Sequence, residues 1–429
     1  MSVPFEFHKT KLNQGLRVLF ERHPGTRGLS IGIWVPSGTR HEPQGQTGIA
    51  HFIEHLVFKG TTHRTAFEIA KSLEEVGGEL NAYTTREYTV FHAYVLKQDW
   101  ERALDVLSDL VLNMKISQKD FKLEKSVVQQ EIAMSEDNLE DLIYDLYLDQ
   151  AYRQNPLGRP ILGYAETIEA LTMKDVQTFY QEHYQPSRMI LSLAGDVDLA
   201  PILKACKKKF PATKRKVSLP GNLKVEKPQH QPIRLCIDRP SEHIYLLAGI
   251  PTVSFCHKFR FEAFVVNALL GGGMTSRLYQ KVREQMGLVY SIHSSLNTFV
   301  DEGIIFIQAS CEPKSLPKVL KLVQQEILEI QKKGISKKEL EFYKRQIIGS
   351  LVLGGEDVEN RMTSLASNEM VFEKYMPVEE VIRQIENITV ASLREYLDQH
   401  LNLSESGLFL MGSQAGSFSK QVQSFLKLK

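Results

Sequence analysis

One stretch of this chain is written twice. Thr172-Met-Lys-Asp-Val-Gln-Thr-Phe179, running through His183 to Gly195, matches Thr389-Val-Ala-Ser-Leu-Arg-Glu-Tyr396, running through His400 to Gly412, at a constant offset of 217. Ile116-Ser-Gln-Lys-Asp120 matches Ile335-Ser-Lys-Lys-Glu339 at an offset of 219. Further upstream, His51-Phe-Ile-Glu54-His55 aligns with Ala263-Phe-Val-Val266-Asn267. The register drifts by a few residues, as loop insertions produce. Such self-similarity marks a duplicated domain, and each copy mixes strand-like with helix-like runs. The fold class expected is therefore α+β, with two homologous domains.

Within the first copy, Gly15 leads into a strand, and Gly28 to Val35 is a second strand ending at Pro36 and Gly38. The His51 stretch follows as a helix, with Ile49, Phe52, Ile53, Leu56 and Val57 able to supply its buried side. Thr65 to Val76 reads as another helix, broken by Gly77-Gly78. The runs 80–84 and 88–96 read as strands, Trp100 to Leu112 as a helix, and Met189 to Ala194 as a strand after the helix 172–183. Between the copies, Lys207 to Pro232 turns basic and carries Pro211, Pro220, Pro228 and Pro232 with little periodic apolar content. It reads as an exposed linker. The expected division is a first domain over 1–210, a linker over 211–232 and a second domain over 233–429.

Composition excludes several function classes. Lys and Arg number 52 against 51 Asp and Glu, so no global field draws the chain to nucleic acid or an anionic membrane. The basic linker has no aromatic platform or binding motif beside it. Four cysteines, Cys206, Cys236, Cys256 and Cys311, form no C-x-x-C pair and read as reduced thiols. Met1 to Lys9 has neither a basic start with an apolar run nor an Arg- and Ser-rich amphipathic character. No run reaches the roughly 18 to 20 apolar residues that span a bilayer. The expectation is a cytoplasmic protein with no membrane and no nucleic-acid partner.

The chemistry-bearing stretch is His51-Phe-Ile-Glu54-His55. On a helix, residues four apart lie one turn apart on one face, with i+3 at its edge. Both imidazoles can grip one ion while Glu54 points at whatever else that ion holds, which is the inverted zinc-peptidase pattern H-x-x-E-H. A catalytic zinc takes three protein ligands and keeps an open position. A polar helix face is the plain alternative for the two histidines. Ser117 to Glu131 looks like a helix with a capping box at Ser117 and Asp120. On it Glu124 and Glu131 stand two turns apart on a shared face, Glu131 lying 76 residues after His55.

At these residues the sequence resembles the pitrilysin/insulysin and mitochondrial processing peptidase superfamily. That family carries a glutamate metal ligand at about this distance and a supporting acid two turns before it. The resemblance implies one Zn2+ per chain held by His51, His55 and Glu131, with Glu54 as general base and Glu124 supporting the ligands; for Glu124 an exposed helix acid is the alternative. In the second copy Ala263, Val266 and Asn267 replace His51, Glu54 and His55, and Tyr343 and Ser350 replace Glu124 and Glu131. All five differ together, as a lost or gained site should.

The resemblance extends over essentially the whole chain. Gly77 to Thr84 resembles the family's edge strand, on which a peptide substrate is added as a further β-strand, with Asn81 and Ala82 in contact with it; a hairpin strand with no ligand is the alternative. Arg283 and Tyr290 resemble an arginine–tyrosine pair that meets substrate from the facing domain, against which stands a helix arginine and a core tyrosine. Gly271-Gly-Gly273 lacks the surroundings of a phosphate loop. Family members enclose peptides in a chamber of four such domains, so a chain with two implies a homodimer, or pairing with a paralogous subunit. The function implied is a zinc-dependent metalloendopeptidase acting on short or unfolded peptides. The alternative from another class is a non-catalytic assembly subunit of a peptidase-like complex.

Overall fold

Two β-sheets of the same plan organise the chain. The computed structural model describes residues 6–153, 155–211 and 227–426. Most of the linker expected over 211–232 lies outside the described residues. Its end, 227–232, runs without regular structure and alternates exposed Lys227 and Gln229 with buried Pro228 and His230.

The strands follow in chain order as β1 (Glu6–Lys11), β2 (Arg17–Arg22), β3 (Gly28–Val35), β4 (Glu79–Thr84), β5 (Thr89–Leu96), β6 (Ile190–Gly195), β7 (Arg234–Asp238), β8 (Ile244–Thr252), β9 (Ile292–Thr298), β10 (Gly303–Cys311) and β11 (Gly407–Gly412). The first sheet has the order β1-β2-β6-β3-β5-β4 and the second β7-β11-β8-β10-β9. β2 with β6 and β7 with β11 are the parallel pairs, and every other pairing is antiparallel. Without β1, the two sheets share one topology. This is the duplication seen in the sequence, now in hydrogen-bond order.

Both faces of each sheet are buried, which is why the central strands read as nearly continuous apolar runs. Successive side chains of a strand point to opposite faces. In β3, Leu29, Ile31, Ile33 and Val35 pack with the helices Ile49–Val57 and Trp100–Leu112. Trp34 points the other way, onto Val358, Met362, Leu365 and Ala366 of the helix Val358–Phe372. In β10, likewise, Ile305 and Ile307 face the helices of the second half. Its Ile304 and Phe306 meet Leu142, Ile143, Tyr147 and Leu148 of the helix Leu139–Ala151.

The compact units are therefore not continuous in sequence. One gathers the described residues of Met1–Met134, Arg159–Val225 and Leu353–Met376; the other gathers those of Ser135–Gly158, Glu226–Val352 and Pro377–Lys429. Each half of the chain lends one helix to the other half's sheet, and the two helices are repeat equivalents, 219 residues apart. In the first unit the lent helix is fastened by a buried ion pair. Arg361 donates to both Glu21 oxygens at 2.7 and 2.6 Å, Tyr375 donates to Oε2 at 2.9 Å, and His23 lies 2.8 Å from Oε1. Burial alone would raise the Glu21 pKa, but these partners outweigh it and hold it at about 2. In the second unit the lent Tyr147 sits where β8 and β11 carry Gly249 and Gly407, since a Cβ at either would run into its hydroxyl. Among the described residues no helix is long and apolar enough to cross a membrane.

Candidate metal centre

The helix Ile49–Val57 is built to hold its polar face still. Ile49, Phe52, Ile53, Leu56 and Val57 are fully buried, and each such side chain stabilises by roughly 1.5–3 kcal/mol. Gly48 precedes the helix with φ +95, a left-handed conformation, and a Cβ there would collide with Leu162 O and Gly163 Cα. Having no side chain, Gly48 cannot cap the helix. Glu42 does so instead, its carboxyl oxygens accepting from Gly48 N and Ala50 N at 3.0 Å each. On the remaining face the rings of His51 and His55 stand edge to face, centroids 4.7 Å apart.

Opposite them runs the helix Gln118–Asp137. Ser117 caps its start, accepting from Asp120 N at 3.0 Å and donating its Oγ proton to Asp120 Oδ2 at 2.5 Å; the bond from Ser117 N that would complete the expected capping box is not among the contacts of the described residues. Phe121, Glu124, Val128 and Ile132 are buried on one stripe. Glu131, at the stripe's edge, brings Oε2 to 3.3 Å from His55 Nε2 and 3.9 Å from His51 Nε2. The ligand atoms of His51, His55 and Glu131 all lie within 4.8 Å of one another, and among the described residues they form the group that could hold a metal ion.

Glu124, 1% exposed, lies behind this group. Its Oε2 is 3.2 Å from His55 Nδ1 and its Oε1 is 2.8 Å from Lys59 Nζ. A proton on His55 Nδ1 donated to Glu124 leaves the Nε2 lone pair facing Glu131, the tautomer a metal needs. Burial would raise the Glu124 pKa, but His55 and Lys59 outweigh it and keep the carboxyl ionised. His51 is pushed down to about 3, first by burial and then by the charge of His55, so its imidazole is neutral. For His55, burial works against protonation, but the hydrogen bond and charge of Glu124 and the charges of Glu131 and Glu54 raise it. Two imidazoles and a carboxylate, converging within reach of one point and backed by a second carboxylate, are a donor set that fits zinc.

Glu54 sits between this group and β4. Its Oε2 accepts from Thr84 Oγ1 at 2.5 Å. Burial raises its pKa, Thr84 and His55 oppose the rise, and Glu131 adds to it.

Residues 17–165 match the family description Insulinase (Peptidase family M16), and residues 170–347 match Peptidase M16 inactive domain. A Mycobacterium leprae protein described as an uncharacterized zinc protease is 35% identical over 92% of this chain and 89% of its own length. The chain belongs to the M16 peptidase family. Another relative, from Bacillus subtilis and described as uncharacterized zinc protease YmxG, is 34% identical over 88% of this chain and 91% of its own. Two solved structures share the fold. A protease from Helicobacter pylori superposes with a TM-score of 0.84 at 21% identity, covering 96% of this chain and all of that one (100%). The peptidase M16 inactive domain from Pseudomonas fluorescens gives 0.86 at 20%, covering 95% and 98%.

In this M16 chain the remaining predicted residues fall into two groups. β4 is an edge strand, paired only with β5 among the described residues. Ala82 lies on the face packed against the first-half helices, and its N–H donates to Asn81 Oδ1 at 2.8 Å. Arg283 and Tyr290 belong to the second unit. The Arg283 guanidinium lies 4.7 Å from the centre of the Tyr279 ring and 5.8 Å from that of Tyr290, which is 86% exposed. His92 pairs with Glu359 at 3.1 Å. Lys59 and Thr84 were not singled out in the sequence, though each had a signal: Lys59 continues the four-residue spacing of His51 and His55, and Thr84 shares a strand face with Ala82.

Proposed function

We propose that this chain is a zinc-dependent endopeptidase hydrolysing peptide bonds in short or unfolded peptides. The observation that carries the reading is the convergence of His51, His55 and Glu131, with Glu54 beside them. Those three residues would hold the ion. When bound, zinc supplies a Lewis acid that polarises the scissile carbonyl and lowers the pKa of a coordinated water toward ~7. His51 contributes a neutral imidazole because burial disfavours its charge. Glu124, itself anchored by Lys59, fixes the ring of His55 through Nδ1. Glu54 takes a proton from the attacking water and returns it to the leaving amine.

The free edge of β4 accepts an extended peptide through main-chain hydrogen bonds, which suits a broad substrate range. Asn81 lies at this edge, and its side chain gives up the Ala82 N–H as the peptide pairs. Catalysis belongs to the first half of the chain (1–210), and the second half (233–429) supplies Arg283 and Tyr290 as substrate contacts. The working form is a cytoplasmic homodimer whose four domains enclose the peptide.

The test is cleavage of a mixed unstructured peptide library by wild type and Glu54→Gln, with zinc counted in both. One zinc per chain in each, and cleavage by wild type alone, is the expected result. Zinc without cleavage, even with candidate partner subunits added, favours the non-catalytic assembly reading. Wild type that takes up no zinc on reconstitution overturns the ligand assignment.

A further inference from the structure

Thr84 stands at the end of β4 on the same strand face as Leu80 and Ala82, turned toward the helix Ile49–Val57. It is 8% exposed, and its register partner Thr89 on β5 is 0% exposed. The hydrogen bonds here run toward Glu54. Thr89 Oγ1 donates its single proton to the Ser37 carbonyl at 2.9 Å. At 3.4 Å from Thr84 Oγ1 it has no proton left to give. The Thr84 proton points instead to Glu54 Oε2, 2.5 Å away, which accepts it. Thr84 is β-branched in a strand, so its χ1 is stiff and the hydroxyl stays aimed.

We propose that Thr84 is the positioning residue of Glu54. It occupies Oε2 and turns Oε1 outward as the proton-accepting oxygen. In the step this serves, a water O–H proton passes to Glu54 Oε1 as the water oxygen bonds to the peptide carbonyl carbon. The same proton then passes to the amine nitrogen as the C–N bond breaks. Because Oε2 is engaged throughout, the carboxyl gains and loses its proton without turning. This rests on the peptidase reading above.

The experiment compares wild type, Glu54→Gln, Thr84→Val, Thr84→Ala and Thr84→Ser on an unstructured peptide substrate. It records kcat and KM separately, zinc per chain and the thermal midpoint. Losing the donor in Val or Ala should lower kcat roughly 10- to 100-fold, as expected for a hydrogen bond to a charged group. KM should stay within about threefold, and zinc content and thermal midpoint should match wild type. Ser, which restores the hydroxyl, should recover most of kcat. A Val or Ala variant with wild-type kcat overturns the proposal, and so does a Ser variant as slow as Val, which would make Thr84 a packing residue. Should Glu54→Gln cleave as well as wild type, the peptidase reading itself falls. A dead Glu54→Gln beside an unaffected Thr84→Val sinks only the role of Thr84.

Discussion

On the helix that follows β3 the first half carries His51 and Glu54. At the equivalent places after β8 the second half carries Ala263 and Val266, both in its apolar core, and Asn267 stands for His55. Two turns along the facing helix, Glu124 and Glu131 give way to Tyr343, whose hydroxyl donates to Thr275 O at 3.1 Å, and to exposed Ser350. Apart from β1, the sheets beneath have the same strand order and the same parallel pair. The scaffold therefore does not need the metal residues. It needs the apolar stripes, and the chemistry is laid over one copy of them.

The strongest way to break this comparison is to write the second half's residues into the first. His51→Ala with His55→Asn should abolish zinc uptake and lower peptide cleavage at least about a thousandfold, while far-UV circular dichroism stays that of the native chain. A variant that unfolds would show the copies are not interchangeable scaffolds. Next in size is the Glu21–Arg361 clasp, which among the described residues has no counterpart at the second sheet. Arg361→Ala leaves Glu21 buried without its guanidinium partner, held only by Tyr375 and His23, and should cost roughly 3 kcal/mol in denaturant unfolding. The pH dependence follows from the same pair. Because the Glu21 pKa is depressed, from 4.5 to about 2, its stabilisation is complete above about pH 4.5 and is lost as pH falls toward 2. The wild type should lose stability across that window, and Arg361→Ala should lose less.

Smaller effects sharpen the contrast. Glu124→Gln keeps the shape but weakens its hold on His55 and Lys59, and zinc affinity should fall about 10- to 100-fold in a chelator competition. The equivalent change in the second half, Tyr343→Phe, should leave zinc affinity unmoved. The smallest test asks where the copies should agree. Thr172 caps its helix by accepting from Asp175 N, and Thr389 does the same with Ser392 N. Replacing either threonine by alanine should cost about 1 kcal/mol, and by similar amounts in each half.

Much of this was legible in the sequence because it is local or periodic. The cap at Ser117 is a short motif, and helix spacing alone puts His51 with His55 and Glu124 with Glu131. That the two groups meet is a tertiary fact, which the sequence offered only through family resemblance and the structure supplies as distances. Strand β1 escaped notice because Glu6–Lys11 is polar and only half-buried, an edge strand without an apolar run. The exchanged helices escaped for a deeper reason. Leu139–Ala151 has an apolar side, and nothing in its own sequence says which sheet it covers.

That exchange bears on where the duplication came from. A lone ancestral half, folded as either half is here, would have kept one sheet face bare, with residues such as Trp34 and Val90, or Phe306 and Phe409, open to water. Such a face is closed when two copies trade helices. In this chain, then, each half depends on the other for the helix that covers its sheet.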